Sequence, residues 1–149
     1  MAISIIAGLG NPGKEYEDSR HNLGFQIIDQ FAKDLGWPWG ASKKFGAFIA
    51  KGVYKGNELK LVKPQLFMNN SGQVLASICR YFEVLPENVV VIYDDINLDL
   101  GRLKISIGGG SGGHNGVADI MSHMDNKFIQ FRGSIRFNFP FSEIIINIL

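Results

Sequence analysis

Two glycine-rich segments carry the side chains of this sequence that are best suited to chemistry. Residues 8–13 read Gly-Leu-Gly-Asn-Pro-Gly, and residues 108–116 read Gly-Gly-Gly-Ser-Gly-Gly-His-Asn-Gly. Glycine costs conformational entropy on folding, and it is favoured where the backbone turns with positive φ or closely approaches another group. Because both segments follow apolar runs, we predict that they build a functional site whose side chains are Asn11, His114 and Asn115.

His21 and Asp94 are the candidates for acid–base chemistry. His21 lies where the first glycine segment gives way to a predicted helix, and Asp94 follows the apolar run 89–93. Histidine is the usual general base near neutral pH, and it needs an acid or a carbonyl group to fix its tautomer and orientation. Asp94 is the natural candidate for that acid. Taken singly, each residue is equally consistent with a structural role as a helix cap or a turn former.

Two literal motif matches suggest other chemistry. Residues 8–13 match the Gly-x-Gly-x-x-Gly fingerprint of dinucleotide sites, but the predicted helix begins only at Leu23 rather than at the glycines. Residues 109–113 match the Gly-x-Ser-x-Gly nucleophile elbow, between a predicted strand and a predicted helix. Ser111 would then be a nucleophile, with His114 or His21 as its base. A serine hydrolase is therefore an open alternative.

Metal chemistry has little support in the sequence. The three histidines are His21, His114 and His123, and their spacing matches no familiar ligand pattern. Adjacent Asp94 and Asp95 would point to opposite faces if both lie on a strand, which leaves one acid for the site. We expect neither a metal nor another cofactor.

Composition indicates one domain over residues 1–149. The chain has 46% hydrophobic residues, enough for a proper core. Its lone cysteine, Cys79, lies on an apolar helix face and is expected to be a small buried hydrophobe. The sequence shows neither a signal-peptide pattern nor an apolar run of membrane-spanning length, so we expect no membrane association and a cytoplasmic location.

The net charge of +1 hides a lysine-rich stretch between residues 43 and 63, where six lysines face one acid, Glu58. A solvated hairpin surface is the simplest interpretation, and a polyanionic partner stays open.

Strands and helices alternate along the whole chain, which predicts an α/β domain with a mixed sheet flanked by helices. Ser71 is a plausible N-cap, and Gly36 a natural helix stop. Glycine turns after strands place the site at strand ends. The predicted strands are 2–9, 45–53, 58–62, 89–93, 103–107 and 129–139, and the predicted helices are 23–35, 71–82 and 117–124. Strand 129–139 alternates cleanly, with Ile129 and Phe131 on one side and Gln130 and Arg132 on the other, and is expected to be half-buried.

Four separated blocks closely resemble the bacterial-type peptidyl-tRNA hydrolases. They are residues 8–25, residues 63–72, Asp94 and residues 108–116, and the resemblance covers residues 2 to 131. It implies hydrolysis of the ester between a peptide and the 3′ ribose of tRNA, which recycles tRNA from aborted translation. It also implies a monomer whose partner is peptidyl-tRNA.

The same resemblance assigns roles to individual residues. His21 would be the base, Asp94 would orient it, and Asn11 would share the catalytic centre. The position of Ser111 need not be serine in this family, which argues against the elbow. The resemblance implies substrate contacts from Tyr16, Met68, Asn69, Asn115 and, more weakly, His114. Arg20, Lys104 and Arg132 are candidates for contacts to tRNA phosphates.

The end of the chain departs from the family pattern. Members usually continue further, with a lid segment and a C-terminal helix beside the cleft, and the block after Phe128 drifts from their sequence. The C-terminus is shortened relative to the family pattern. We therefore expect lower stability and weaker substrate binding than in a full-length relative. This departure keeps a second hypothesis open, a non-catalytic RNA-binding protein on the same fold, similar to chloroplast intron-splicing factors.

Overall fold

The computed structural model describes residues 3–10, 22–65, 70–95, 98–99 and 102–133. Within these ranges, strands and helices alternate as the sequence predicts. In chain order the elements are β1 (Ile5–Gly8), α1 (Leu23–Leu35), β2 (Gly40–Ser42), β3 (Ala47–Tyr54), β4 (Asn57–Pro64), α2 (Ser71–Tyr81), β5 (Val89–Asp94), β6 (Leu103–Ile107), α3 (Asn115–Met124) and β7 (Ile129–Gly133).

The strands form one mixed sheet in the order β2-β3-β4-β1-β5-β7-β6. Strands β4, β1, β5 and β7 run parallel to one another, whereas β3 pairs with β4 and β6 with β7 in antiparallel fashion. The last residues of the four parallel strands, Pro64, Gly8, Asp94 and Gly133, therefore lie at one end of the sheet, which we call the carboxyl edge. Ligand sites of open α/β sheets lie at this edge. The predicted mixed α/β architecture is confirmed.

Helices cover both faces of the sheet. Helices α2 and α3 pack on one face, and α1 packs on the other. The central strand β5 is buried along its whole length, as its unbroken apolar sequence requires when both faces are covered. The first face buries Val74, Leu75, Ile78, Val91, Ile120 and Phe128, and the second buries Ile6, Ile28, Phe31, Leu61, Ile92 and Phe131.

Helix α1 begins and ends at the predicted residues. Its apolar stripe faces the sheet, and Gly36 closes it in the left-handed conformation at φ 73°. The prediction that Ser71 caps α2 was wrong. Asn70 occupies the N-cap position, and Ser71 lies fully buried inside the first turn.

Strand β7 is buried on both sides, which corrects the half-buried strand expected from its alternating pattern. Gln130, on the polar side of that pattern, is only 1% exposed because the sheet and the loop before α3 enclose it. The remainder of the predicted strand, from residue 134 onward, lies outside the described residues. Strand β2 was not predicted, since its three residues, Gly40–Ser42, are too short to show a period.

Cys79 is buried on α2, as expected for a small hydrophobe. Burial raises the pKa of its thiol to about 11, so the thiol stays protonated and is a poor nucleophile at neutral pH. No helix in the described part of the chain has both the length and the apolar character needed to cross a bilayer.

Four of the six lysines in the lysine-rich stretch are exposed, as predicted for a solvated hairpin surface, whereas Lys60 and Lys63 are partly buried. Lys63 is only 16% exposed, and its ammonium lies 2.6 Å from a carboxylate oxygen of Asp29 and 4.4 Å from the ring centre of Trp39. Lys44 covers the ring of Tyr81 at 3.5 Å. Both lysines thus place their ammonium groups against aromatic rings, where the negative face of the ring attracts the cation.

Candidate active site

A small cavity opens at the carboxyl edge, between the end of β5 and the glycine-rich loop that precedes α3. Its volume is about 90 Å³. The glycines adopt conformations that other residues rarely reach: Gly108, Gly109, Gly112 and Gly113 all have φ between 61° and 83°. The loop therefore turns back over the strand ends, as predicted. The cavity is lined by Tyr93, Asp94, Asp95, Ser111, Gly112, Gly113 and His114.

His114 lies at the centre of this arrangement. It is the N-cap residue of α3, and its Nδ1 accepts a hydrogen bond from the backbone N–H of Val117 at 3.2 Å. Its Nε2 lies 3.5 Å from Oδ1 of Asp94, and the Tyr93 ring packs 4.8 Å from the imidazole ring centre. Because Nδ1 accepts, the neutral ring carries its proton on Nε2, which faces the carboxylate. The cap and the carboxylate together fix the tautomer of His114.

This geometry leaves no nitrogen of His114 for Ser111. A nucleophilic serine needs one imidazole nitrogen to take its proton while the other faces the orienting acid. In His114, one nitrogen caps α3 and the other faces Asp94. The structure thus brings a serine, a histidine and an aspartate to one cavity without connecting them as a triad.

The serine hydrolase hypothesis requires that Ser111→Ala abolish ester hydrolysis, but because Ser111 lacks an activating base in His114 we expect this substitution to change any such rate by no more than about twofold. The substitution adds no volume and removes one hydroxyl from the cavity wall. The test is the initial rate of ester release by Ser111→Ala under saturating substrate. A loss of about a hundredfold or more would restore the serine hydrolase hypothesis.

Asp94 is the acid that the sequence predicted at this site, and it is 3% exposed at the end of β5. The structure places it beside His114. Six of the predicted site residues lie outside the described residues, so their positions stay predictions. They are Asn11, Tyr16, Arg20, His21, Met68 and Asn69.

The described neighbours of Asn11 and His21 meet at the carboxyl edge. Gly10, which precedes Asn11, and Asn22, which follows His21, approach so closely that a Cβ on Gly10 would lie 2.9 Å from the Asn22 Oδ1. Two residues further along the chain, a Cβ on Gly24 would lie 2.5 Å from the carbonyl oxygen of Ile92 in β5. The first turn of α1 therefore rests directly on the strand that ends at Asp94.

Helices α2 and α3 also meet near the site. A carboxylate oxygen of Asp119, in α3, accepts a hydrogen bond from the backbone N–H of Gly72 at 2.7 Å. Asp119 thus caps the first turn of a neighbouring helix, whose own N-cap Asn70 makes no side-chain cap. A Cβ on Gly72 would lie 2.2 Å from the Asp119 carbonyl oxygen, so the two backbones touch. Asn115, the exposed first residue of α3, follows His114 at the same end.

Replacing Asp119 with Ala is expected to lower the free energy of unfolding by about 1–2 kcal/mol, the usual effect of losing a helix cap. Asp119→Asn keeps an acceptor for the Gly72 N–H and loses only the charge at the α2 N-terminus, so its loss should be about half or less. Urea unfolding of the two variants measures the difference. An equal loss of stability in Asp119→Ala and Asp119→Asn would show that the hydrogen bond to the Gly72 N–H contributes little.

Two of the predicted phosphate-binding cations are paired across strands. Lys104 in β6 lies directly opposite Arg132 in β7, next to the carboxyl edge. Lys104 is exposed. Arg132 is mostly buried, with Nη1 3.5 Å from a carboxylate oxygen of Asp95 and Nη2 donating to the Ser106 hydroxyl at 3.3 Å. Lys104 therefore presents its charge to solvent, whereas Arg132 is held within the sheet end.

Sequence reasoning missed Tyr93 and Gln130 as parts of this site. Tyr93 reads as the end of an apolar strand, and its signal was only that it directly precedes Asp94. Gln130 reads as a solvent-facing residue of an alternating strand. Its burial depends on the loop from β6 to α3, whose path no local pattern reveals.

The chain matches proteins of known class over most of its length. The family model for peptidyl-tRNA hydrolase matches residues 5–136. A curated peptidyl-tRNA hydrolase from Saccharophagus degradans is 42% identical over 125 residues, which are 84% of this chain and 64% of that relative. The chain thus spans less than two thirds of the length of that relative.

Solved structures of this class share the fold. A peptidyl-tRNA hydrolase structure from Acinetobacter baumannii superposes with a TM-score of 0.87 at 35% identity, covering 91% of this chain and 69% of the other. A peptidyl-tRNA hydrolase in complex with N-propanol gives a TM-score of 0.85 at 36% identity, covering 89% and 69%. With a family match over most of its residues and close structural agreement, the chain belongs to the peptidyl-tRNA hydrolase family.

Proposed function

We propose that this chain hydrolyses the ester bond of peptidyl-tRNA and thereby recycles tRNA from aborted translation. The observation that carries the proposal is the buried Asp94 carboxylate, which faces a cavity and an imidazole at the carboxyl edge of a chain from this family. Peptidyl-tRNA arises where ribosomes work, so we place the activity in the cytoplasm. We assign it to a monomer, as the family resemblance implies.

The proposed reaction needs a base, an orienting acid and donors for a developing oxyanion. His21 takes a proton from water, and the resulting hydroxide adds to the ester carbonyl carbon. Asp94 orients the imidazole and stabilises its charged form. The tetrahedral intermediate then expels the ribose oxygen, which takes the proton back from His21, and the peptide leaves as a carboxylic acid that loses its own proton to solvent. Asn11 completes the catalytic centre as an amide donor for the oxyanion.

Amide side chains suit the recognition of a peptide. Asn69 and Asn115 each offer a donor and an acceptor, which match the N–H and C=O groups of a peptide backbone. A free aminoacyl group instead presents a charged ammonium, which an amide pairs with poorly. Tyr16 and Met68 complete the cleft wall in this proposal. His114, whose ring nitrogens serve the α3 cap and Asp94, contributes its ring edge to substrate rather than a nitrogen.

The tRNA approaches the same edge of the sheet in this proposal. Arg20 and Lys104 supply positive charge for phosphates, with a smaller share from Arg132, whose charge is partly offset by Asp95. Such contacts position a nucleic acid without reading its sequence. Lys104 is the most accessible described member of this group.

Replacing Lys104 with Gln is expected to weaken tRNA binding by about 3–10-fold and to lower the slope of log affinity against log salt by about 1. Lys51→Gln is the matched control, because Lys51 is an exposed lysine on β3, at the opposite side of the sheet. Binding isotherms at several salt concentrations measure both effects. An unchanged slope in Lys104→Gln, or an equal change in Lys51→Gln, would remove Lys104 from the tRNA surface.

A catalytically silent RNA-binding protein on the same fold is the alternative. Nothing in the comparisons favours it, and a pure binder has no chemical need for a buried acid beside an imidazole. The discriminating experiment compares N-acetyl-aminoacyl-tRNA with unblocked aminoacyl-tRNA, in EDTA. We expect release of the blocked amino acid at least about a hundredfold faster than of the unblocked one. Tight tRNA binding without release from either substrate would favour the binding protein.

A further inference from the structure

Gln130 joins the two walls of the candidate active site. It lies in β7 and is 1% exposed, in contact with Tyr93, which lines the cavity. The hydroxyl of Tyr93 donates a hydrogen bond to its Oε1 at 3.0 Å, and its Nε2 donates to the carbonyl oxygen of Gly108 at 3.1 Å. One amide group therefore connects the strand that carries Asp94 with the first residue of the glycine-rich loop.

Donor and acceptor chemistry determines the direction of both hydrogen bonds of Gln130. A backbone carbonyl only accepts, so the Gln130 group that faces Gly108 must be the NH₂. The carbonyl end of the amide then faces Tyr93, whose hydroxyl must donate. Burial raises the pKa of that hydroxyl to about 12, so the donor is present throughout the pH range in which the protein would work. A carboxylate or an apolar side chain at position 130 could not make both bonds.

Both ends of this connection act on His114. The Tyr93 ring packs 4.8 Å from the imidazole ring centre. Gly108 opens the loop that ends at His114, and both Gly108 and Gly109 hold positive φ there. The Gly109 carbonyl accepts a second, exposed hydrogen bond from the Asn126 side chain at 3.2 Å. The loop is therefore held at its root while its tip, residues 111–113, lines the cavity.

We propose that Gln130 and Tyr93 form a positioning pair, which holds the glycine-rich loop and the His114 ring in register with Asp94. Neither residue needs to touch substrate for this role. The pair determines how far the loop stands from the end of β5, and so the width of the cavity. For its kinetic consequences this inference rests on the proposed hydrolase activity, but its structural consequence is independent of that activity.

Two variants and their combination test the pair. Gln130→Met preserves volume and removes both hydrogen bonds, whereas Tyr93→Phe keeps the ring against His114 and removes only the hydroxyl. Leu59→Val is the control for a general loss of core packing, because Leu59 is buried near the opposite end of β4. We expect each single variant to lower kcat by about tenfold with KM changed less than about threefold, since a shift of the His114 ring and the loop disturbs Asp94, the acid that orients the proposed base. The double variant should also lose about tenfold rather than a hundredfold, because both changes break one connection.

The imidazole ¹⁵N signals of His114 supply a readout that needs no activity. In wild type we expect an unprotonated Nδ1 and a protonated Nε2, and in both single variants these signals should shift, while Leu59→Val leaves them in place. Unmoved His114 signals in folded Gln130→Met and Tyr93→Phe would overturn the proposal, as would failure of both variants to fold, which indicates a structural role only. If the His114 signals shift in both variants but the wild-type protein releases no peptide, the positioning pair is supported and the hydrolase activity is refuted.

Discussion

Replacing Asp94 with Asn is expected to slow peptidyl-tRNA hydrolysis by about 10²–10⁴-fold without unfolding the protein. The Asp94 carboxylate is 3% exposed and faces the Nε2 of His114 at 3.5 Å. An amide has nearly the same shape but no charge, so it cannot stabilise the imidazolium that forms in the proposed reaction when the base, His21, takes a proton. In Asp94→Asn, the side-chain amide could also present its NH₂ group to the Nε2–H of His114, which requires an acceptor.

Single-turnover rates with blocked aminoacyl-tRNA measure this loss and separate it from binding. Asp34→Asn is the matched control, because Asp34 is an exposed carboxylate on α1 that accepts a hydrogen bond from Gln30. We expect that control to keep the wild-type rate. A rate for Asp94→Asn within about threefold of wild type would show that the buried carboxylate is structural rather than catalytic.

Replacing Gly24 with Ala is expected to lower the free energy of unfolding by about 3 kcal/mol, the upper range for an overpacked site. A Cβ at this position would lie 2.5 Å from the Ile92 carbonyl oxygen and equally close to the backbone nitrogen and oxygen of Leu9. These are backbone atoms that cannot rotate away. Helix α1 would therefore have to move off the ends of β1 and β5.

Gly40→Ala is the control, since a Cβ there meets only the Ile49 carbonyl oxygen at an ordinary 3.7 Å. For a chain of this size, a loss of about 3 kcal/mol corresponds to a fall in Tm of roughly 6–12 °C. Thermal and urea unfolding of both variants provide the comparison. A Gly24→Ala midpoint equal to that of Gly40→Ala would mean that α1 does not rest on the strand ends as described.

The consequence of Gly24→Ala for activity follows from the same contact. Asn22 and the turn after it lie between the proposed base and the body of α1. Because the helix start rests on the strand that ends at Asp94, a shift of α1 changes the distance between the His21 segment and the acid. Activity should therefore fall in this variant even at temperatures where it stays folded.

The sequence predicted those elements whose signal is local. Helix α1 has a continuous apolar stripe and a glycine stop, and its bounds match the structure at both ends. Strand β6 likewise begins and ends as predicted. Strand β2 was missed because a strand of three small residues, Gly40–Ser42, has neither periodicity nor β-branched side chains.

The site residues that the sequence could not predict depend on tertiary contacts. Gln130 looks solvent-facing in its alternating strand, but the loop before α3 buries it. Ser71 looks like a helix cap, but the cap of α2 comes from Asp119 in another helix. The sequence also indicated that Asp94 would orient His21, which lies outside the described residues, so that pairing stays a prediction. Which imidazole reaches Asp94 depends on the path of two loops, and among the described residues His114 does so.

The most direct test of the proposed hydrolase is the initial rate at which the purified 149-residue chain releases N-acetyl-aminoacyl groups from tRNA, measured beside His21→Ala. We predict release by the wild type and a loss of about 10²–10⁴-fold in the variant, the range expected for removal of a general base. Both proteins should bind the same tRNA equally well. Release that is unaffected by His21→Ala would contradict the role of His21 as the base, and a folded wild type that binds tRNA and releases nothing would contradict the proposed hydrolase activity.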